Sequence, residues 1–115
     1  MREGDVVVAE IPQADDQRKK RPALVLREMP LHRDLLICGI STRLHLRVPG
    51  FDELISPADP DFSLSGLLAT SVVRPGFLIV LPSKSIIGSI GSIAPDRHRR
   101  LLRTLSNHLT AKGSA

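Results

Sequence analysis

Lys19-Lys20-Arg21-Pro22-Ala23-Leu24-Val25-Leu26 runs from charge into hydrophobe across a single proline. The four apolar residues after Pro22 read as a strand, and the three cations before it sit at its mouth. Proline fixes its own φ and biases the residue before it towards extended backbone, which places Arg21 at the lip of a sheet rather than on a loose arm. A guanidinium held there suits a phosphate, because it is permanently charged and offers a planar fork of donors. Taken alone, the stretch reads first as the solvated end of a hairpin, since basic loops before strands are common.

Working outward, Asp5 to Ile11 is a β-branched run that reads as a first strand, with Pro12 to Lys20 the polar loop after it. The second strand spans Ala23 to Arg27, and Glu28 to Asp34 reads as a turn around Pro30. Leu35 to Ile40 is apolar on both faces and is expected to be a central strand. It delivers Ser41-Thr42-Arg43 to solvent, and a short strand around His45 to Val48 follows before Pro49-Gly50. Phe51 to Ser65, with Pro57, Pro60 and four acidic residues, reads as a surface excursion. Two short strands, Ser71 to Arg74 and Phe77 to Leu81, flank Pro75-Gly76; a last strand, Ser85 to Ile93, is expected to be weak or bulged at its glycines. Pro95 and Asp96 open a helix whose Leu101, Leu102, Leu105 and Leu109 form the face packed on the sheet. The tail, Lys112 to Ala115, reads as frayed. The pattern is that of one mainly β domain, residues 1–115, built as a small antiparallel barrel with a C-terminal helix.

Composition narrows the function. Sixteen Lys and Arg against twelve Asp and Glu give a net charge of +4, a balance that suits a polyanion. Three Phe with no Trp or Tyr argue against a reader that stacks bases on an aromatic platform, so charge and backbone contacts must do the holding. Cys38 has no second cysteine to pair with and lies in an apolar run as a small hydrophobe. With no apolar h-region at the start and no apolar run near ~18 residues, a cytoplasmic location without a membrane span is the expectation.

Rival chemistries find less support. His32 and His45 lie in polar connections with nothing to bring them together as a base and acid pair. His98 and His108, with Arg97, Arg99, Arg100 and Arg103, read as a solvated basic side of the helix. Asp59-Pro60-Asp61 is rigid and isolated, and no HExxH, paired-cysteine or calcium-loop motif is present, so no metal and no other cofactor is expected. Gly88 and Gly91 follow no nucleotide-binding pattern, and Ser41 lacks the glycine elbow of an acyl-transfer nucleophile. By contrast, RNA carries its own nucleophile. A protein need only align the 2′-OH with the phosphorus, move protons and stabilise the phosphorane, which arginines and hydroxyls such as Arg21, Ser41 and Thr42 can do.

Gly4-Asp5-Val6-Val7, Arg21-Pro22-Ala23-Leu24-Val25-Leu26, Ile40-Ser41-Thr42-Arg43, and Ser65-Gly66-Leu67 followed by Ser71-Val72-Val73-Arg74 occur in an order and spacing that resemble the PemK/MazF family of toxin–antitoxin endoribonucleases. The resemblance covers the chain from about Gly4 to Leu109. It implies an SH3-like barrel of the PemK/MazF/CcdB type that forms a homodimer, cleaves single-stranded RNA without a metal, inhibits translation and growth, and is silenced by a cognate acidic antitoxin. Carried over by position, Arg21, Ser41, Thr42 and Arg74 are the implied catalytic residues, with Asp16, Gln17, Lys19, Lys20 and Arg43 holding the substrate. Many members place an aspartate two positions after the second arginine, where this chain has Gly76; Asp16 could supply a carboxylate instead. The alternative is a basic barrel without turnover that binds nucleic acid or a protein target such as gyrase.

Overall fold

A computed structural model describes residues 1–12, 14–30 and 32–113. Strands β1 (Asp5–Pro12), β2 (Arg18–Glu28) and β3 (Leu35–Ser41) are followed by β4 (Glu53–Ile55), the short helix α1 (Phe62–Ser65), β5 (Ser71–Leu81), β6 (Ile86–Ser92) and helix α2 (Pro95–Thr110). All pairings are antiparallel, in the order β4-β5-β3-β2-β1-β6, so β3 is central as its two apolar faces require.

Connectivity forces this sheet to curl. β5 and β6 stand four strand positions apart, about 19 Å in a flat sheet. Only Pro82 to Ser85 join them, mostly as a 3-10 turn, and even an extended link of that length reaches about 17 Å. Alternate residues of each strand therefore feed two cores. Val6, Leu24, Leu26, Cys38 and Ile40 face Leu101 and Leu105 of α2, while Val7, Ala23, Val25 and Ile37 close on Leu81 and Ile86, where β5 leaves and β6 begins. Cys38 is fully buried; burial first, and then the charge of Asp52, push its thiol up to about 12, so it behaves as a core hydrophobe.

Several expectations change in detail. β2 starts at Arg18 rather than Ala23, because the basic run pairs along β1 as Ile11↔Lys19, Glu10↔Lys20 and Ala9↔Arg21. The expected strand at His45 to Val48 is a 3-10 turn over Leu44–Leu46, since β3 already has β2 and β5 on its two edges. The two short strands around Pro75-Gly76 are one strand, β5. Its register jumps from Gly39↔Arg74 to Cys38↔Leu78, which leaves Pro75, Gly76 and Phe77 unopposed in a bulge. β6 is bulged as expected, with Ile87 and Ile90 falling between paired positions on β1. Of the helix leucines, Leu101 and Leu105 are buried, Leu102 is half-buried, and Leu109 is exposed. The final two tail residues, Ser114 and Ala115, lie outside the described residues.

Phe51 to Ser65 departs furthest from its expectation. It contains β4 and α1, and Asp52, Ile55, Asp61 and Ser65 are all buried. Arg97, expected on a solvated face, is the reason. The residue is 7% exposed, and its guanidinium donates to both Asp61 oxygens (2.8 and 3.1 Å), to Glu53 Oε1 (3.0 Å) and to the Leu54 carbonyl (3.0 Å), and lies 3.4 Å from Asp59. A helix cation thus gathers β4 and the Asp59-Pro60-Asp61 segment. His98 is likewise half-buried, with Nε2 2.8 Å from the Leu26 carbonyl. At the other end of α1, Gly66 (φ 74°) and Gly91 let the chain lie directly on β6; a Cβ on Gly91 would fall 2.2 Å from the Leu64 carbonyl.

Burial alone would raise the Asp61 carboxyl, but hydrogen bonds from Arg97 and from the Ala94 amide, with the Arg97 charge, outweigh it and hold the group below its usual value. A lowered folded-state pKa means that this contribution is complete above the unfolded carboxyl value of about 3.9 and is lost as pH falls through the lower folded one. Urea midpoints between pH 6 and pH 3 are therefore expected to fall more steeply for the wild type than for Asp61→Asn. Arg97→Ala, which strands buried carboxylates, is expected to cost about 3–5 kcal/mol at neutral pH by chemical denaturation.

Candidate functional site

The curl opens a cavity of about 300 Å³ across β2, the end of β3 and the bulge of β5, lined by Arg21, Ser41, Arg43 and Arg74 together with apolar and backbone surface from Ile11, Pro22, Gly39, Ile40, Leu46 and Phe77. Three cations and a hydroxyl reach it, and its lining contains no carboxylate. Arg21 is exposed on β2 opposite Ala9. Arg74 is on β5 opposite Gly39, with its side chain 31% exposed. Ser41 ends β3 and Arg43 precedes the 3-10 turn, so adjacent strands unite residues far apart in the chain.

Ser41 Oγ accepts the Arg43 backbone N–H at 3.0 Å. With its oxygen engaged as an acceptor, the hydroxyl proton is left to donate into the cavity. Gly39 provides room: a Cβ there would fall 2.7 Å from the Phe77 ring, which folds over β3. The same ring stacks with Arg74, whose Cζ is 5.8 Å from its centroid. Arg74 Nε is buried without a hydrogen-bond partner among the described residues and lies 4.0 Å from Asp52 Oδ2.

Of the residues expected at the site, Arg21, Ser41, Arg43 and Arg74 are thus brought together. Thr42 is exposed and is absent from the lining, which distinguishes the two neighbouring hydroxyls. Asp16 and Gln17 lie in the β1–β2 connection, Asp16 at φ 64° and the Gln17 amide donating to Asp15 Oδ1 at 3.1 Å; neither lines the cavity. Lys19 and Lys20 are exposed on β2 towards that connection, and strand alternation turns Lys20 to the opposite face from Arg21. They extend the basic surface along β2 rather than lining the cavity. Phe77 and Asp52 were not anticipated: the first was read as strand and the second as part of a surface excursion, and nothing local in the sequence marks either.

The geometry is accompanied by a family match. Residues 2–109 match the family described as PemK-like, MazF-like toxin of type II toxin–antitoxin system. A comparison with curated protein sequences finds no match. Among solved structures, the chain is similar to the Mycobacterium tuberculosis toxin MazF-mt6, with a TM-score of 0.68 and 20% identity over 95% of this chain and 99% of that one. It is also similar to an endoribonuclease in complex with its cognate antitoxin from a mycobacterial species, with a TM-score of 0.67 and 16% identity over 96% of each chain. At those identities the structures establish the fold, and the family match extends over nearly the whole sequence. The chain belongs to the PemK-like, MazF-like toxins of type II toxin–antitoxin systems.

Proposed function

We propose that this toxin is a metal-independent endoribonuclease that cleaves single-stranded RNA, mRNA in particular, through attack by the RNA's own 2′-OH. The observation that carries this reading is the convergence of Arg21, Arg43, Arg74 and the Ser41 hydroxyl on one open cavity. In-line attack forms the O2′–P bond as the 2′-OH proton passes to water, and puts extra negative charge on the phosphorane oxygens; the P–O5′ bond then breaks and the 5′-oxygen takes a proton from water. Arg21 and Arg74 neutralise the developing charge, Ser41 donates to a non-bridging oxygen, and Arg43 grips a flanking phosphate. Lys19 and Lys20 draw the strand in along β2. The carboxylate-free lining equally suits a module that binds RNA without turning it over, and the experiment below separates the two.

The partners follow from the same surface. A cognate antitoxin with an acidic segment would cover the cavity arginines in the cytoplasm, consistent with the antitoxin complex formed by the similar mycobacterial endoribonuclease. A homodimer is supported by β5: β4 pairs only with Ser71 to Val73, so the rest of that edge is unpaired among the described residues and exposes Phe77, Leu78 and Val80. Val80→Lys is expected to convert the dimer to a monomer in light scattering, and a wild type that is monomeric at micromolar concentration would count against the assembly.

Incubated with end-labelled single-stranded RNA in EDTA, the purified protein is expected to yield fragments with a 2′,3′-cyclic phosphate (or its 3′-phosphate hydrolysis product) and a 5′-OH, and to leave DNA intact. Arg21→Ala should lower the rate by roughly 10²–10³, with Arg21→Lys restoring only part because a point charge does not reproduce the fork. RNA bound but uncut would favour the binding module. Fragments with 5′-phosphates that appear only with magnesium would overturn the mechanism.

A further inference from the structure

We infer that Asp52 is the positioning residue for Arg74, a role that rests on the endoribonuclease reading of the cavity. The β4–β5 register brings the two together. Glu53 pairs with Val73, so one step further along the antiparallel ladder Asp52 falls beside Arg74 as an oppositely charged cross-strand neighbour. The Asp52 side chain is 3% exposed, and Arg74 is the cation within ion-pair distance of it among the described residues. A carboxylate so buried needs a partner, because an unpaired charge away from water is costly.

Each group also has a reason to stay where it is. Asp52 is fixed from behind: its Oδ2 accepts the Val48 N–H at 2.9 Å, and its own N–H donates to the Val48 carbonyl at 2.9 Å, closing the turn before β4. Arg74 has two neighbours, the Phe77 ring, whose centroid is 5.8 Å from its Cζ, and the Asp52 oxygen, 4.0 Å from its Nε. That Nε is a buried donor without a hydrogen bond among the described residues, about 1 Å beyond hydrogen-bond reach of the carboxylate. Asp52 thus draws the Nε side of the guanidinium inward, which leaves the terminal amino groups to the phosphate. Gly76 offers no side chain to do this from β5 itself; the carboxylate comes from the residue just before β4.

Asp52 also has a structural duty, and Asp52→Asn separates the two roles. The amide oxygen can still accept the Val48 N–H, whereas the charge facing Arg74 is gone. The expected result is a kcat lowered roughly 10-fold to 100-fold, the scale for a misplaced reacting group, with KM within about twofold and the thermal midpoint little changed. Arg74→Ala should lower kcat at least as far, and adding Asp52→Asn to it should lower kcat no further. A full multiplicative loss in the double variant, or an unchanged kcat in Asp52→Asn, overturns the inference. The Arg74 Nε–H resonance in nitrogen-15 NMR provides a readout independent of turnover: it should shift and exchange faster with water in Asp52→Asn. An unmoved resonance in an active enzyme overturns only the present inference, whereas a wild type inactive on every RNA tested overturns the endoribonuclease reading and with it any role for Asp52 in turnover.

Discussion

A single guanidinium ties the helix to the far edge of the sheet. Arg97 approaches from the first turn of α2, is nearly excluded from solvent, and is satisfied by carboxylates of Glu53 and Asp61 and by the Leu54 carbonyl. Burying one cation costs several kcal/mol unless it is fully paired, and here the pairing draws on β4 and the segment before α1 at once. β4 is only three residues long and pairs with only three residues of β5, too little to hold an edge strand by backbone hydrogen bonds alone. Without the ion cluster, the last strand of the sheet would have little reason to stay in register. That register, in turn, decides what stands next to Arg74.

The ladder of dependence runs from helix to cavity in three short steps. α2 holds β4, β4 sets Asp52 and Phe51 against β5, and β5 carries Arg74 and Phe77 across to β2 and the end of β3. The bulge at Pro75-Gly76-Phe77 is part of this arrangement rather than an irregularity in it. By leaving three residues unopposed, it frees Phe77 to fold over Gly39, and the ring then forms one wall for the arginine. A regular strand would instead alternate Phe77 into the ladder and leave Arg74 without that wall.

Much of this was legible in the sequence. Alternating or continuous apolar runs located β1, the buried half of β2, β3 and the helix, because burial on one or both faces imposes a period that composition cannot hide. The arginine before Pro22, the hydroxyl after Ile40 and the arginine after Val73 were recognisable because each ends or interrupts an apolar run. Pairing between charged residues far apart in the chain was not legible. Arg97 among four helix arginines, and Asp52 and Asp61 among four loop carboxylates, look the same as their solvated neighbours until the fold brings them together. The bulge was hidden for a related reason: Pro75-Gly76 is a normal sign of a turn, and only the continuity of β3 opposite shows that the chain passes through it as one strand.

The cavity draws its charged groups from positions 21, 41, 43 and 74, and the clamp that holds its edge comes from position 97. Strand pairings over such separations form late, because the chain must close long loops before any contact rewards it. The cavity can be complete only once the chain has been made through α2. Until the ribosome has passed the helix codons, Glu53 and Asp61 have no Arg97 to gather them, and the basic residues are an uncoordinated string rather than a site. The order of the chain therefore makes the last element, α2, the one that completes the sheet edge beside the cavity.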